Sequence, residues 1–466
     1  MKRPRLLFFL VLLCAFMPVA AHASALDEDA ITAEHVILIE GNTNTVLYEK
    51  NADDMAYPAS TTKVMTSLLT LELGNLDDTV KVPAVTDRGS LMGIRRGETM
   101  SLRSLLYGMM LVSGNDAAEA IAVHLGESKD GFVALMNEKA NALGLKNTHF
   151  VNPHGLHKEE HYTTARDFAQ LTRYALVLSP QKEDYRAMAR RATYTVNDSS
   201  KKTYALESTN KLIHTREKNG VKRESFEYRN AIGLKTGDTP VAEKCLVAAA
   251  ERGDTLLIAI IFKERDADKR FVEAAALFDY GFEQFTKENA AALSLPTEME
   301  LPPSGDEDAK TLSVALENIE FGCLKDELAA IKSDPGRVDL TLLNSDTSAR
   351  GASMEVAYSL NGKVLFTAPA HLIEPAEAVP LPDQNGSTQA PPPSIDAPGS
   401  SGNTAVWYVL SGIVILAGAA YCIVRFVPIK QFANPFKHFK RSQLKKPRRH
   451  SGKIGTKFAP KRMNRP

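Results

Sequence analysis

Cysteine is scarce in this chain. Only four occur among 466 residues, and Cys14 and Cys422 each lie within an apolar run near one end. Cys245 and Cys323 remain, in stretches of different texture. No disulfide framework is expected to hold the fold, and no Cys–His spacing marks a zinc site. Net charge is lacking too, because 56 Lys and Arg offset 56 Asp and Glu. That balance conceals basic ends and an acidic middle, which excludes a broad positive field for nucleic acid over the body of the chain.

Long apolar stretches are also few, and two of them stand at the ends. Met1-Lys2-Arg3-Pro4-Arg5 precedes an apolar run from Leu6 to Met17, and small-x-small cleavage patterns follow at Ala21-His22-Ala23 and Ala23-Ser24-Ala25. Residues 1–25 read as a secretory signal peptide. Residues 404–427 are almost wholly apolar, long enough to span a bilayer as a helix, with Trp407 and Tyr408 at one edge. The tail 428–466 is rich in Lys and Arg and has no Asp or Glu. The positive-inside rule then predicts a single-pass protein of the cell membrane, with the tail cytoplasmic near anionic headgroups and the larger part outside.

What is present falls into three textures. Val36 to Glu40 and Val46 to Glu49, around Gly41-Asn42-Thr43-Asn44, predict a hairpin. Helical periodicity follows in Val64–Leu73, Leu102–Val112, Ala117–Leu125, Phe132–Leu143 and Thr164–Val177, the last capped by Thr163 or Thr164. Strand-like runs return at Ala231–Gly237, Cys245–Ala250 and Thr255–Phe262, before a final helix over Phe271–Phe282. Strands at both ends with helices between predict an α+β domain over 26–285, its first strands paired with its last. Residues 286–378 read as a small all-β domain, and the Pro/Ser/Gly-rich stretch 379–403 as a linker.

Ser60-x-x-Lys63 opens the first helical run. At helical spacing the hydroxyl and the amine share a face, and Val64, Met65, Leu68 and Leu69 predict a desolvated amine that favours its neutral form. A neutral lysine beside a serine acts as its base. This pair alone is common by chance. Two further signals join it in order: Ser113-Gly114-Asn115 after an apolar helix, and Lys235-Thr236-Gly237 on an edge-like strand. Together they carry the order of the serine penicillin-binding and β-lactamase superfamily. In that reading Ser60 is the nucleophile, Lys63 the base and Ser113 a proton relay. Asn115 holds a substrate amide, and Lys235 supplies positive charge while pressing Lys63 toward neutrality. Thr236 and Gly237 lie against bound substrate, and the backbone N–H groups of Ser60 and Asp238 form an oxyanion hole.

The chain resembles the low-molecular-mass D-Ala-D-Ala carboxypeptidases over Ala33–Phe285. The resemblance extends to Tyr57–Thr66, Met110–Ala118, Asn152-Pro153-His154-Gly155-Leu156, Thr163–Asp167, Asn210-Lys211-Leu212 and Tyr280-Gly281-Phe282. It implies a DD-peptidase fold, removal of the terminal D-alanine from peptidoglycan stem pentapeptides, and covalent inhibition by β-lactams. It also implies that Arg270 lies near the substrate's terminal carboxylate. No metal or organic cofactor is expected. Asp238 departs from the family pattern, setting an acid where carboxylate substrates are expected. His154 and His161 are read as stabilising loops. A serine β-lactamase is the nearest alternative, but no Glu-x-x-Leu-Asn string occurs between Ser113 and Lys235. A DD-endopeptidase and an inactive wall-binding scaffold are the others.

Overall fold

A computed structural model describes residues 26–215, 217–218, 221–222, 225–301, 310–343 and 354–372. The hairpin of β1 (His35–Glu40) and β2 (Thr45–Lys50) forms where the pattern predicts. Asn44 turns it at φ 63°, a conformation asparagine tolerates. A 3₁₀ turn, Ala59–Thr62, feeds α1 (Lys63–Leu73), which is buried from Lys63 to Leu71; its apolar residues pack in the core, and the hydroxyls of Thr66, Ser67 and Thr70 donate to the carbonyls of Pro153, Val64 and Thr66. Ser60 therefore precedes the helix instead of lying in it.

The short strands β3 (Thr79–Lys81) and β4 (Thr99–Ser101) pair beside α2 (Leu102–Leu111), α3 (Asn115–Gly126) and α4 (Lys129–Ala142). Thr164 caps α5 (Ala165–Arg173) by accepting from Asp167 N at 3.1 Å. After α6 (Lys182–Ala189) comes a hairpin of β5 (Thr193–Val196) and β6 (Tyr204–Glu207), then the two-residue pair β7 (Glu217–Lys218) and β8 (Val221–Lys222). The domain closes with β9 (Ala231–Thr239), β10 (Glu243–Arg252), β11 (Thr255–Glu264) and α7 (Lys269–Gln284).

The main sheet runs β2-β1-β11-β10-β9, antiparallel throughout, with His35 opposite Phe262. First strands pair with last, as the pattern predicts, and β9 is left at an edge. Both faces are covered. Ile37, Ile39, Val247, Ile258 and Ile260 pack on Val64, Met65, Leu68, Ile121 and Phe168 from the helical cluster. Val36, Leu38, Leu246, Leu257 and Ile261 meet Phe271, Ala274, Leu277 and Phe278 of α7. Each such side chain contributes roughly 1.5–3 kcal/mol. Burial on two faces explains why the central strands read as unbroken apolar runs.

The second domain pairs β12 (Phe285–Asn289) with β15 (Glu320–Leu324). Beside that pair stands a sheet of β13 (Glu298–Leu301), β14 (Lys310–Val314), β18 (Lys363–Leu372), β17 (Met354–Leu360) and β16 (Val338–Leu342), in that order. The expectation of an all-β domain is corrected here, because α8 (Lys325–Ser333) forms within it. Its apolar stripe is only Leu328 and Ile331, too short to show a period, while Glu327 caps its start by accepting from Leu324 N at 2.8 Å.

The membrane expectation is corrected as well. No helix among the described residues is long and apolar enough to cross a membrane. The longest, α7, has 16 residues and carries Lys269, Arg270, Glu273 and Asp279, and at 1.5 Å per residue it falls short of a hydrocarbon core of about 30 Å. The span drawn at 404–427 lies outside the described residues, as do the leader 1–25, the linker and the basic tail. The bilayer as a partner, the single-pass placement and the cytoplasmic tail all depended on that span and go with it.

Candidate active site

Ser60 and Lys63 meet although Ser60 lies before the helix. In a 3₁₀ turn residues three apart eclipse, and Lys63 Nζ lies 3.0 Å from Ser60 Oγ. The same nitrogen donates to Asn115 Oδ1 at 2.8 Å and to the His154 carbonyl at 2.8 Å. Lys63 has no solvent exposure. Burial and the nearby charge of Lys235 hold its pKa well below the ordinary lysine value, with Asp116 pulling weakly the other way. The Asn115 amide is oriented by its Nδ2, which donates to the Arg88 carbonyl at 2.9 Å.

Lys235 approaches from the sheet edge. It too is fully buried, donates to the Thr236 carbonyl at 2.8 Å, and is drawn down to about 7 by desolvation and by the charge of Arg270. Strand β9 lies directly on the serine turn, since a Cβ added at Gly237 would stand 3.0 Å from the Pro58 carbonyl and 3.1 Å from Ala59 Cβ. Thr236 Oγ1 is 2.7 Å from Thr209 Oγ1. Arg270 lies beneath the strand, its Nη1 donating to the Gly237 carbonyl at 2.8 Å and the Cys245 carbonyl at 3.1 Å, while its buried Nε has no partner among the described residues. The Asp238 carboxylate is drawn off to Lys244 on β10, Nζ to Oδ2 2.7 Å, and is largely exposed.

Each of the three segments holds a non-glycine residue at positive φ: Ala59 at 47°, Ser113 at 61° and Leu234 at 87°. Such a conformation costs on the order of 1–2 kcal/mol and persists only where surroundings enforce it. At Ala59 the enforcing element is the loop 152–156. Gly155 sits so close that an added Cβ would fall 1.6 Å from the Ala59 carbonyl oxygen, and Thr62 Oγ1 donates to that same oxygen at 2.8 Å. At Leu234 a register shift against Ala248 and Ala249 bulges β9 and re-aims Lys235. Ser113 Oγ makes no hydrogen bond to any described residue.

Both histidines of the loop region are structural in geometry. His161 Nδ1 accepts from Val151 N at 3.1 Å, which leaves Nε2–H to face Thr62 Oγ1 at 2.8 Å, and burial pushes its pKa down to about 3. His154 stands 3.3 Å from Glu119 Oε1 through Nε2. The sequence reading gave Asp116 no role. Its carboxylate accepts from Met92 N at 2.8 Å, Gly93 N at 2.7 Å and Ile94 N at 3.1 Å, tying the loop 88–94 to the start of α3. An aspartate in a helix's first turn usually signals only a favourable dipole, so nothing local pointed to this clamp.

Residues 21–266 match the D-alanyl-D-alanine carboxypeptidase family (Peptidase_S11). The chain is 34% identical over 271 residues to D-alanyl-D-alanine carboxypeptidase DacF of Bacillus subtilis (strain 168), a match spanning 55% of this chain and 64% of that relative's length. It is 34% identical over 322 residues to D-alanyl-D-alanine carboxypeptidase DacA of Escherichia coli (strain K12), covering 65% of this chain and 75% of that one. Penicillin binding protein 5 from Haemophilus influenzae superposes with a TM-score of 0.52 at 26% identity, over 74% of this chain and 97% of the other. A D-alanyl-D-alanine carboxypeptidase DacD from Francisella tularensis, at 22% identity and a TM-score of 0.54, shares the fold over 76% of this chain and 94% of its own. On the matched half of its length, its relatives and its fold, the chain belongs to the D-alanyl-D-alanine carboxypeptidase family of serine hydrolases.

Proposed function

We propose that this protein is a serine-type D-Ala-D-Ala carboxypeptidase that removes the terminal D-alanine from peptidoglycan pentapeptide stems, and that β-lactams acylate it at Ser60. The observation carrying this reading is the environment of Lys63 Nζ. Two of its neighbours, Asn115 Oδ1 and the His154 carbonyl, only accept hydrogen bonds. A neutral amine has two N–H bonds to give them, and its lone pair is then left facing the Ser60 hydroxyl. Burial without a carboxylate partner favours that neutral state.

In the proposed reaction Ser60 Oγ attacks the carbonyl of the penultimate residue while its proton passes to Lys63. The backbone N–H groups of Ser60 and Asp238 receive the developing oxyanion. The C–N bond breaks as the departing amine of D-alanine takes a proton through the Ser113 hydroxyl, which is free to turn. Water, deprotonated by Lys63, then frees the shortened stem and restores Ser60. The peptide adds to the open edge of β9, with Asn115 on its amide and Lys235 and Thr236 at its carboxylate. Arg270 acts from beneath, biasing Lys235 and holding the strand.

Ser60→Ala is expected to abolish both stable labelling by fluorescent penicillin and release of D-alanine from a pentapeptide, measured by mass spectrometry. Continued release by that variant would remove Ser60 as nucleophile. Rapid turnover of nitrocefin by the natural enzyme would favour a β-lactamase instead.

A further inference from the structure

Glu119 lies one turn after Asn115 on α3, so the two residues share a face of that helix. Glu119 is buried, and two loops meet on its carboxylate. Oε1 stands 3.3 Å from His154 Nε2, and Oε2 accepts from Thr86 N at 2.8 Å. Lys129 Nζ, half exposed, reaches Oε2 from the solvent side at 3.4 Å. Burial by itself would raise the Glu119 pKa, but the bonds from His154 and Thr86 and the charge of Lys129 hold it below the ordinary carboxylate value. The His154 ring has one arrangement open to it. Leu156 N donates to its Nδ1 at 3.2 Å, which leaves Nε2–H for Glu119, and burial keeps the ring neutral despite the nearby acid.

Two paths of hydrogen bonds leave this carboxylate and end on one amine. Along the first, Thr86 Oγ1 accepts from Arg88 N at 3.2 Å, the Arg88 carbonyl accepts from Asn115 Nδ2 at 2.9 Å, and Asn115 Oδ1 accepts from Lys63 Nζ at 2.8 Å. The second is shorter, because the His154 carbonyl itself accepts from Lys63 Nζ at 2.8 Å. Both acceptors of the Lys63 amine are therefore held by loops that Glu119 ties to α3. We propose that Glu119 is a positioning residue, anchoring residues 86–88 and 152–156 together so that Asn115 Oδ1 and the His154 carbonyl turn the Lys63 lone pair toward Ser60. This rests on the function proposed above, in which Lys63 is the base. The loop 152–156 has further ties, from Thr66 Oγ1 to the Pro153 carbonyl and from His154 N and Gly155 N to Asn152 Oδ1, so loss of Glu119 misaims the amine without unseating the loop.

The test is Glu119→Gln in the full chain. A glutamine fills the same space, but its single oxygen cannot serve both His154 Nε2–H and Thr86 N–H, so one loop is released. At saturating fluorescent penicillin the acylation rate constant of the folded protein is expected to fall about 10-fold, with reversible penicillin binding changed by less than about 2-fold. Lys63 is titrated in parallel by NMR of ¹³C-labelled lysine ε-carbons, its signal assigned by its loss in Lys63→Arg. The charged or titratable groups facing Lys63 are Lys235 from β9, Asp116 from α3, and His154 and His161 from the loop region, while His154 and Lys129 face Glu119. Burial is the chief cause of the low Lys63 pKa, so water admitted beside a loosened acceptor is expected to move its titration up by about 0.5–1 pH unit. A carboxylate acting through its field alone would give the opposite sign, because its removal takes away a negative charge. Lys129→Met, which strengthens that field and releases neither loop, is expected to leave rate and titration unchanged. His154→Asn, too short to reach Glu119, is expected to slow acylation, and the double variant to be no slower than Glu119→Gln alone. A lowered melting midpoint in Glu119→Gln with unchanged rate and titration of the folded protein overturns the proposal. So does a downward titration shift, or additive losses in the double variant. If the natural protein neither takes up penicillin nor releases D-alanine, an upward Lys63 shift in Glu119→Gln upholds the anchor and removes the enzymatic reading.

Discussion

At the scale of single residues, burial sets the protonation states. His161 is held neutral by its enclosed site, its pKa about 3 against an ordinary 6.5. The folded chain therefore declines a proton that the unfolded chain accepts, so His161 withdraws stability as pH falls from about 6.5 toward 3. Between pH 7 and 5 that amounts to about 2 kcal/mol at roughly 1.4 kcal/mol per unit. His161→Asn, which keeps a donor near Thr62 and an acceptor near Val151, is expected to show a smaller drop in urea midpoint over that interval. An unchanged pH dependence would show that the ring is not what titrates. The chemistry at this scale was largely legible: the residue types and order of Ser60, Lys63, Ser113, Asn115 and Lys235 can be read without a fold. Asp116 could not be, because its partners Met92, Gly93 and Ile94 lie over 20 residues upstream and lend only backbone.

At the scale of elements, the strained turn before α1 depends on the loop that presses on it. Gly155 has φ 84° and no room for a Cβ. Gly155→Ala is expected to lower the thermal midpoint and slow penicillin acylation by 100-fold or more, because the Ala59 carbonyl and with it Ser60 must move. Stopped-flow labelling of folded protein measures this, and an unaltered rate would show that the loop merely rests on the turn. Strand pairing from first to last followed from the pattern, since apolar runs bounded by turn residues have few other places to go. The 3₁₀ start, the bulge at Leu234 and the left-handed Ser113 did not follow. Each is imposed by tertiary contact against local preference. The helix α8 was hidden for the opposite reason, being too short to display a period.

For the whole molecule, the second domain meets the first at the sheet edge farthest from the cleft. A Cβ at Gly322 would stand 2.4 Å from Phe285 Cε2, 2.5 Å from Thr45 Oγ1 and 2.7 Å from Thr43 Oγ1. Gly322→Val is expected to cost about 1–3 kcal/mol by overpacking. Penicillin labelling of the folded fraction should stay within about 2-fold, since four strand spacings, about 19 Å, separate β2 from β9. A large loss of labelling would mean that the two ends of the sheet move together.

The open border at β9 has a cost for the molecule as a citizen of a crowded compartment. An unpaired strand edge offered to a stem peptide, as proposed above, would welcome a neighbour's strand just as well. Asp238 and Lys244, paired one rung before the end of that border, plant a charge of each sign near its exit. They act as sentries against sheet-to-sheet stacking, at a place where an apolar side chain would invite it.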